Sequence, residues 1–258
     1  MQLRFITYNI HKGIGIDRRF RLERIVEVVS HYSPDVVLLQ EVDQGAPRSQ
    51  SLDLAVALSS ALDLPQFAFG LNVDLKKGRY GNAILTRFPI LAERNIDLTM
   101  PESWIRRGCQ HATLDLGGRR ALEVFNLHLG LSARERAQQV AVLSRASELS
   151  DAPPENAAVI GGDFNDWRSL LLPTFTERLG FRCATERKHG RRRVIPTYPS
   201  FSPQGGLDRL YFRGPLSLVS VQASRLRLAR LASDHLPVIA DFSLDDVTDS
   251  SASGHPQQ

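Results

Sequence analysis

Val159-Ile160-Gly161-Gly162-Asp163-Phe164-Asn165 carries a β-branched pair straight into two glycines, a carboxylate and an amide. So short an apolar run, bounded by turn residues, reads as a strand buried on both faces. Its polar end reads as side chains held firmly at the lip of a cleft. The same pattern recurs along the chain. Residues 3–9 alternate into a strand ending on Asn9. Val36-Val37-Leu38-Leu39 ends on Gln40-Glu41, a carboxylate delivered at the strand tip, and Val124-Phe125-Asn126-Leu127 ends on His128. Asp208 opens a strand, and Asp234-His235 precede Leu236-Pro237-Val238.

Between these strands, Leu22, Ile25, Val26 and Val29 recur at helical spacing until Ser33-Pro34-Asp35 breaks the pattern. Residues 51–62 read as helical. Residues 132–150 read as one helix, with Ser132 as N-cap and Glu135 completing a capping box. Further strands are predicted at 67–73, 82–86, 90–98 and 111–115, with Gly117-Gly118 turning into 121–128, then at 207–212, 217–221 and 237–242. Strands outnumber helices, and the helices are too widely spaced for strict βαβ alternation. The predicted architecture is therefore two packed mixed sheets with helices outside. One domain is expected over residues 1–243, followed by a disordered tail at 244–258, rich in Asp, Ser, Thr, Gly, Pro and Gln.

The chain has 258 residues, 42% hydrophobic and 23% charged, the composition of a soluble globular protein. At this length folding buries about 70–75% of the unfolded surface, so no disulfide or structural metal is required. The two cysteines, Cys109 and Cys183, fit a reducing compartment and offer no zinc spacing. No signal-peptide pattern and no stretch of roughly 18 apolar residues is visible. A cytoplasmic monomer without a transmembrane segment is expected. Thirty-two Lys plus Arg against 28 Asp plus Glu give a net charge of +4, nearly all of the cations arginine. That balance suits an anionic, phosphate-bearing partner.

Taken singly, each strand-end residue has an ordinary explanation as a turn former, a cap or a hydrogen-bonded core imidazole. As a set they form a hard, oxygen-rich group without cysteine, which suits Mg²⁺ or Mn²⁺ rather than zinc or copper. Mg²⁺ keeps several waters and is usually tied by one or two carboxylates plus substrate phosphate, so Glu41 alone could anchor it. A phosphoester is then the natural substrate, hydrolysed with a charge clamp on the phosphoryl oxygens and an oriented water.

Tyr8-Asn9-Ile10-His11-Lys12-Gly13, Leu39-Gln40-Glu41-Val42, Asn126-Leu127-His128-Leu129-Gly130, Gly162-Asp163-Phe164-Asn165-Asp166, Leu207-Asp208-Arg209 and Ser233-Asp234-His235-Leu236-Pro237 occur in this order. Together they resemble the signature of the endonuclease/exonuclease/phosphatase (DNase I-like) superfamily, over roughly residues 3–242. Gly81-Asn82-Ala83-Ile84-Leu85, Asp163-Phe164-Asn165-Asp166-Trp167-Arg168 and Thr197-Tyr198-Pro199 look most like its small bacterial YbhP-type branch. The resemblance implies a four-layer α/β/β/α sandwich and a Mg²⁺-dependent phosphodiesterase or phosphatase working by in-line attack of an activated water. It implies Glu41 as principal metal ligand, with Asn9 beside it and Asp234 helping. Asp163 would orient and deprotonate the water, with Asn165 on the phosphate or that water. His235, held by Asp208, would contact the scissile phosphate, and His128 would be a second donor on that side.

The chain also departs from known branches. Relatives resembling secreted DNase pair the equivalent of His128 with a glutamate, where this chain has Tyr80-Gly81-Asn82, so Asn82 is expected to orient His128 instead. The Pro-Asn-Gly-like segment of abasic-site endonucleases is absent, and no lipid-inserting apolar hairpin stands out. Arg191 and Arg192, within the basic run 187–193, together with Arg107 and Tyr198, complete the candidate substrate contacts. The run also fits a plain solvated surface. Trp167 offers a face for a base, although an aromatic opening a helix more often packs into the core. A nucleic-acid phosphodiester is the favoured substrate, with a phospholipid or small phosphoester as the alternative. A non-catalytic phosphate- or nucleic-acid-binding module is the rival from another class.

Overall fold

Leu3 and Phe5 of the first strand enter one apolar cluster while Ile6 and Tyr8 enter another. This period-two split is what a strand buried on both faces requires. In the computed structural model, which describes residues 1–118, 120–152, 156–186 and 194–244, that strand is β1 (Gln2–Asn9). It lies inside a six-stranded sheet together with β2 (Val36–Gln44), β3 (Gln66–Asp74), β4 (Arg79–Thr86), β11 (Leu216–Ala223) and β12 (Val238–Leu244), in the order β11-β12-β1-β2-β4-β3. The second sheet is built from β5 (Ile90–Asp97), β6 (Gly108–Asp115), β7 (Ala121–His128), β8 (Ala157–Asp163), β9 (Arg182–Cys183) and β10 (Asp208–Arg213), in the order β5-β6-β7-β8-β10-β9. Each sheet is mixed, with β1 parallel to β2 and β7 parallel to β8.

The same alternation builds the four layers. Leu3, Phe5, Val36, Leu38, Val124, Val159, Leu210 and Phe242 fill the space between the sheets. Ile6, Val37 and Leu39 face outward onto α1 (Leu22–Ser30), α2 (Leu54–Ala61) and α5 (Ala229–Ala232). On the far side, Phe125, Leu127 and Ile160 meet α3 (Ala133–Leu143), α4 (Ser147–Ser150) and a π-helical turn at Thr174–Arg178. The expected α/β/β/α sandwich is thus observed.

Several local expectations need correction. Glu41 is not at a strand tip: β2 continues to Gln44, and its register with β4 slips between Leu39 and Val42. Residues 51–62 yield a helix only from Leu54, where the Asp53 carboxylate accepts from the Ala55 and Val56 amides. The long helix at 132–150 is two, because Ala146 adopts an extended backbone (φ −66°, ψ 133°). Half of the capping box forms: the Ser132 hydroxyl accepts from the Glu135 amide, while the Glu135 carboxylate turns to Ser103 and Gln139. Leu244 closes β12, and the expected tail beyond it lies outside the described residues. No described helix is long and apolar enough to cross a membrane.

Candidate active site

Following the inter-sheet face of each central strand, the side chains change from apolar to polar. Phe5 gives way to Thr7 and Asn9, Leu38 to Gln40, Val124 to Asn126 and His128, and Val159 to Gly161 and Asp163. Strand alternation therefore delivers Asn9, His128 and Asp163 to one end of the sandwich interior. In the second sheet the register completes this. His128 pairs with Asp163 across parallel β7 and β8, and Asp163 with Asp208 across antiparallel β8 and β10, so three site residues lie abreast. Gly162, just before Asp163, sits at φ 141°, and a Cβ there would fall 1.9 Å from the Leu127 carbonyl oxygen. Only glycine permits that approach of β8 to β7.

Glu41 reaches the same place by another route. Simple alternation would turn it outward with Val37 and Leu39. Instead it takes a left-handed φ of 59° at the irregularity between Leu39 and Val42. A bulge of this kind re-aims one side chain without ending the strand. His11, Lys12 and Asn165 around the same site also hold positive φ (45°, 62° and 50°).

Asp163 is the hub. Its Oδ1 accepts from the Asn165 amide at 2.9 Å and its Oδ2 from Asn9 Nδ2 at 3.1 Å. His128 Nε2 and His235 Nε2 stand 3.5 and 3.7 Å from the same Oδ2, too far for firm hydrogen bonds but close enough to feel its charge. Asn9 Nδ2 also leans toward Glu41 Oε1 at 3.4 Å, and its Oδ1 accepts from the His11 amide, which fixes the amide orientation. Lys12 Nζ is ion-paired with Glu41 Oε2. His235 Nδ1 donates to Asp208 Oδ2 at 2.8 Å, and the buried Thr197 hydroxyl donates to that same oxygen. The Ser233 hydroxyl donates to the Asn9 carbonyl at 2.7 Å, stitching the Ser233-Asp234-His235 segment to the end of β1.

Charge follows from these contacts. Burial works against the His235 imidazolium, but Asp208 and Asp163 outweigh it and raise its pKa to about 10. For His128, burial and the Arg107 charge push the same way, well below the ordinary histidine value, so this ring is neutral. Burial moves the Asp163 carboxyl upward, with His235 pulling against it. Burial also opposes the charge on Glu41, yet the Lys12 ammonium paired with it holds its carboxyl below the ordinary carboxylate range.

Two positions can be asked about a cation. Asp163, Asp208 and His235 bring ligand atoms within 4.8 Å of one another. A doubly protonated His235, however, has no lone pair to offer. Glu41 is the better anchor: it is a carboxylate ionised despite burial, and Lys12 shows that it already attracts a cation.

The remaining sequence candidates fall as follows. Asn82 is buried, but its Nδ2 points to the Gly108 and Asn126 carbonyls at 3.3 and 3.4 Å, so the amide bridges backbone and makes no bond to His128. Arg107 is buried close to Tyr80 and His128, with its Nε unpartnered. Asn165 Nδ2 donates to the Leu129 carbonyl at 3.0 Å. The Asp234 carboxylate lies 3.3 Å from the Ser233 hydroxyl, whose hydrogen goes to the Asn9 carbonyl. Tyr198 lies 4.9 Å from the His235 ring, and Arg191 and Arg192 lie outside the described residues. Lys12, Thr197, Gln40 and Asn126 were not singled out, although each stands in a quoted motif. Their roles depend on contacts between distant strands.

The two packed mixed sheets with helices outside are the fold of the DNase I-like class. The model of the Endonuclease/Exonuclease/phosphatase family matches residues 6–235, and the chain belongs to that family. The uncharacterized protein YbhP of Escherichia coli K12 is 33% identical over 250 residues, covering 93% of this chain and 95% of its own. Among solved structures, an endonuclease/exonuclease/phosphatase from Beutenbergia cavernae superposes with a TM-score of 0.79 at 23% identity, over 94% of this chain and 72% of that one. ANGEL2, a 2′,3′-cyclic phosphatase solved with adenosine-2′,3′-vanadate, gives 0.72 at 16% identity, over 94% and 95%. At these identities the structural likeness speaks for the fold.

Proposed function

We propose that the chain hydrolyses a phosphodiester of nucleic acid with Mg²⁺ or Mn²⁺ at Glu41. The observation that carries the reading is the convergence of Asn9 Nδ2, His128 Nε2 and His235 Nε2 on one oxygen of Asp163, at 3.1, 3.5 and 3.7 Å. Asp163, with its raised pKa, is a stronger base than an ordinary carboxylate and takes the proton of the attacking water. His235, charged and held by Asp208, offers its Nε2 hydrogen to a phosphoryl oxygen. Neutral His128 stands beside buried Arg107, and the unpartnered Arg107 Nε suits an anion. Glu41 would hold the cation, with Asn9 and Asp234 beside it, and the cation when bound would neutralise charge on the phosphoryl and leaving oxygens.

The test is hydrolysis of plasmid DNA, RNA, phospholipid vesicles and a chromogenic phosphodiester with Mg²⁺ or Mn²⁺, for the wild type and for Glu41→Ala and Asp163→Ala. Metal-dependent turnover of nucleic acid that both substitutions abolish is the expected result. Turnover and metal response unchanged in both variants overturns the reading.

A further inference from the structure

Trp167 follows Asp163 by four residues and is 54% exposed, so it does not pack into the core as a helix-opening aromatic ordinarily would. Its position is built nonetheless. The six-membered ring lies directly on the main chain at Gly205, where a Cβ would fall 2.5 Å from Cζ3 and 2.7 Å from Cε3. Gly205 is in turn locked to Tyr198: the Tyr198 amide donates to the Gly205 carbonyl at 3.0 Å, and the Gly205 amide donates back to the Tyr198 carbonyl at 2.8 Å. The two rings meet edge to face, with centroids 5.6 Å apart at 88°. On its other side Tyr198 lies 4.9 Å from the His235 ring. An L-shaped aromatic corner therefore runs outward from His235, fixed by backbone bonds, with Trp167 open to solvent.

We propose that Trp167 and Tyr198 form a subsite that stacks the nucleobase next to the scissile phosphate, with Trp167 supplying the face and Tyr198 the wall. The subsite rests on the nucleic-acid reading of the active site. A base hangs one sugar away from its phosphate, and Trp167 stands one ring beyond the ring that touches His235. An exposed indole face on a rigid seat has already lost the freedom that stacking would otherwise cost. Every base has a π-face, so the subsite discriminates between strands with and without bases and not between sequences.

The experiment compares a single-stranded oligonucleotide with an abasic strand of the same length and backbone. Trp167→Ala lowers kcat/KM on the base-bearing strand about tenfold, within the range of one stacked base, and leaves the abasic strand unchanged. Gly205→Ala keeps both aromatic rings in the chain but pushes the indole off its seat, and it gives the same selective loss. A binding readout is independent of turnover. Trp104 and Trp167 are the only tryptophans, so in a Trp104→Phe background the fluorescence of Trp167 is quenched by the oligonucleotide in EDTA, and not by the abasic strand. Equal losses on both strands, or none on either with no quenching, overturn the subsite while leaving the hydrolase reading intact. Wild-type turnover of anionic phospholipid and of neither strand overturns the nucleic-acid reading and the subsite with it.

Discussion

Gln40 Nε2 donates to Asn126 Oδ1 at 2.7 Å across the gap between the two sheets, and both side chains are fully buried. Asn126 Nδ2 in turn donates to the carbonyls of Leu39 and Ala83 at 2.9 Å each. The pair sits where the inter-sheet face changes from apolar to polar, and it ties β2 of one sheet to β7 of the other.

Asn126→Ala removes the shortest of three contacts of Gln40 Nε2, which keeps Thr7 and Leu38, and takes the side-chain donor from two backbone carbonyls in a site closed to water. A buried polar group left unpaired costs about 1–3 kcal/mol, so a loss of about 2–3 kcal/mol is expected in urea unfolding. A loss under about 0.5 kcal/mol would mean that the sheets hold their spacing by apolar packing alone.

Glu41→Gln removes the charge at the bulge and keeps the shape. Calorimetric binding of Mn²⁺ is expected to disappear, with the circular dichroism spectrum unchanged. Binding that survives in this variant and vanishes in Asp208→Asn would move the cation to the group of Asp163, Asp208 and His235.

Asp163→Asn keeps the hydrogen-bonding outline and removes the base. General-base assistance is worth about 10²–10⁴-fold, so kcat falls by that factor while KM changes little. A fall confined to KM would make Asp163 a substrate ligand only.

The pH dependence carries a definite sign. His235 has a folded-state pKa of about 10 against an ordinary 6.5, so its pairing stabilises the fold fully below the ordinary value. That contribution is lost as pH rises through about 10, and the charged form needed at the phosphate is lost over the same range. The alkaline limb of kcat/KM is expected near pH 10 in the wild type and at lower pH in Asp208→Asn, which removes the leading raising charge. Identical alkaline limbs in the two proteins would assign that limb to another group.

The sequence by itself determined the layers and which polar residues end the central strands. Runs such as Val36-Val37-Leu38-Leu39 and Val159-Ile160 are apolar at every position, and a strand of that kind must be covered on both faces. The change from Phe5 to Asn9 along one strand face places polar groups at the sandwich end by period two alone. What only the tertiary structure decided are the relationships that cross strands. The bulge that turns Glu41 inward depends on its pairing with β4, and the neutrality of His128 depends on burial and on Arg107 from another loop. Asn82 is expected beside His128 because it stands in the segment where relatives of secreted-DNase type carry a glutamate, yet it bonds the Gly108 and Asn126 carbonyls because β4 faces the second sheet there. Trp167 looked like a core residue from its place before a helix, and it is held open to solvent by a glycine 38 positions away. Periodicity fixes which face a side chain leaves from, but hydrogen-bond partners and dielectric surroundings are set by whatever the fold brings opposite.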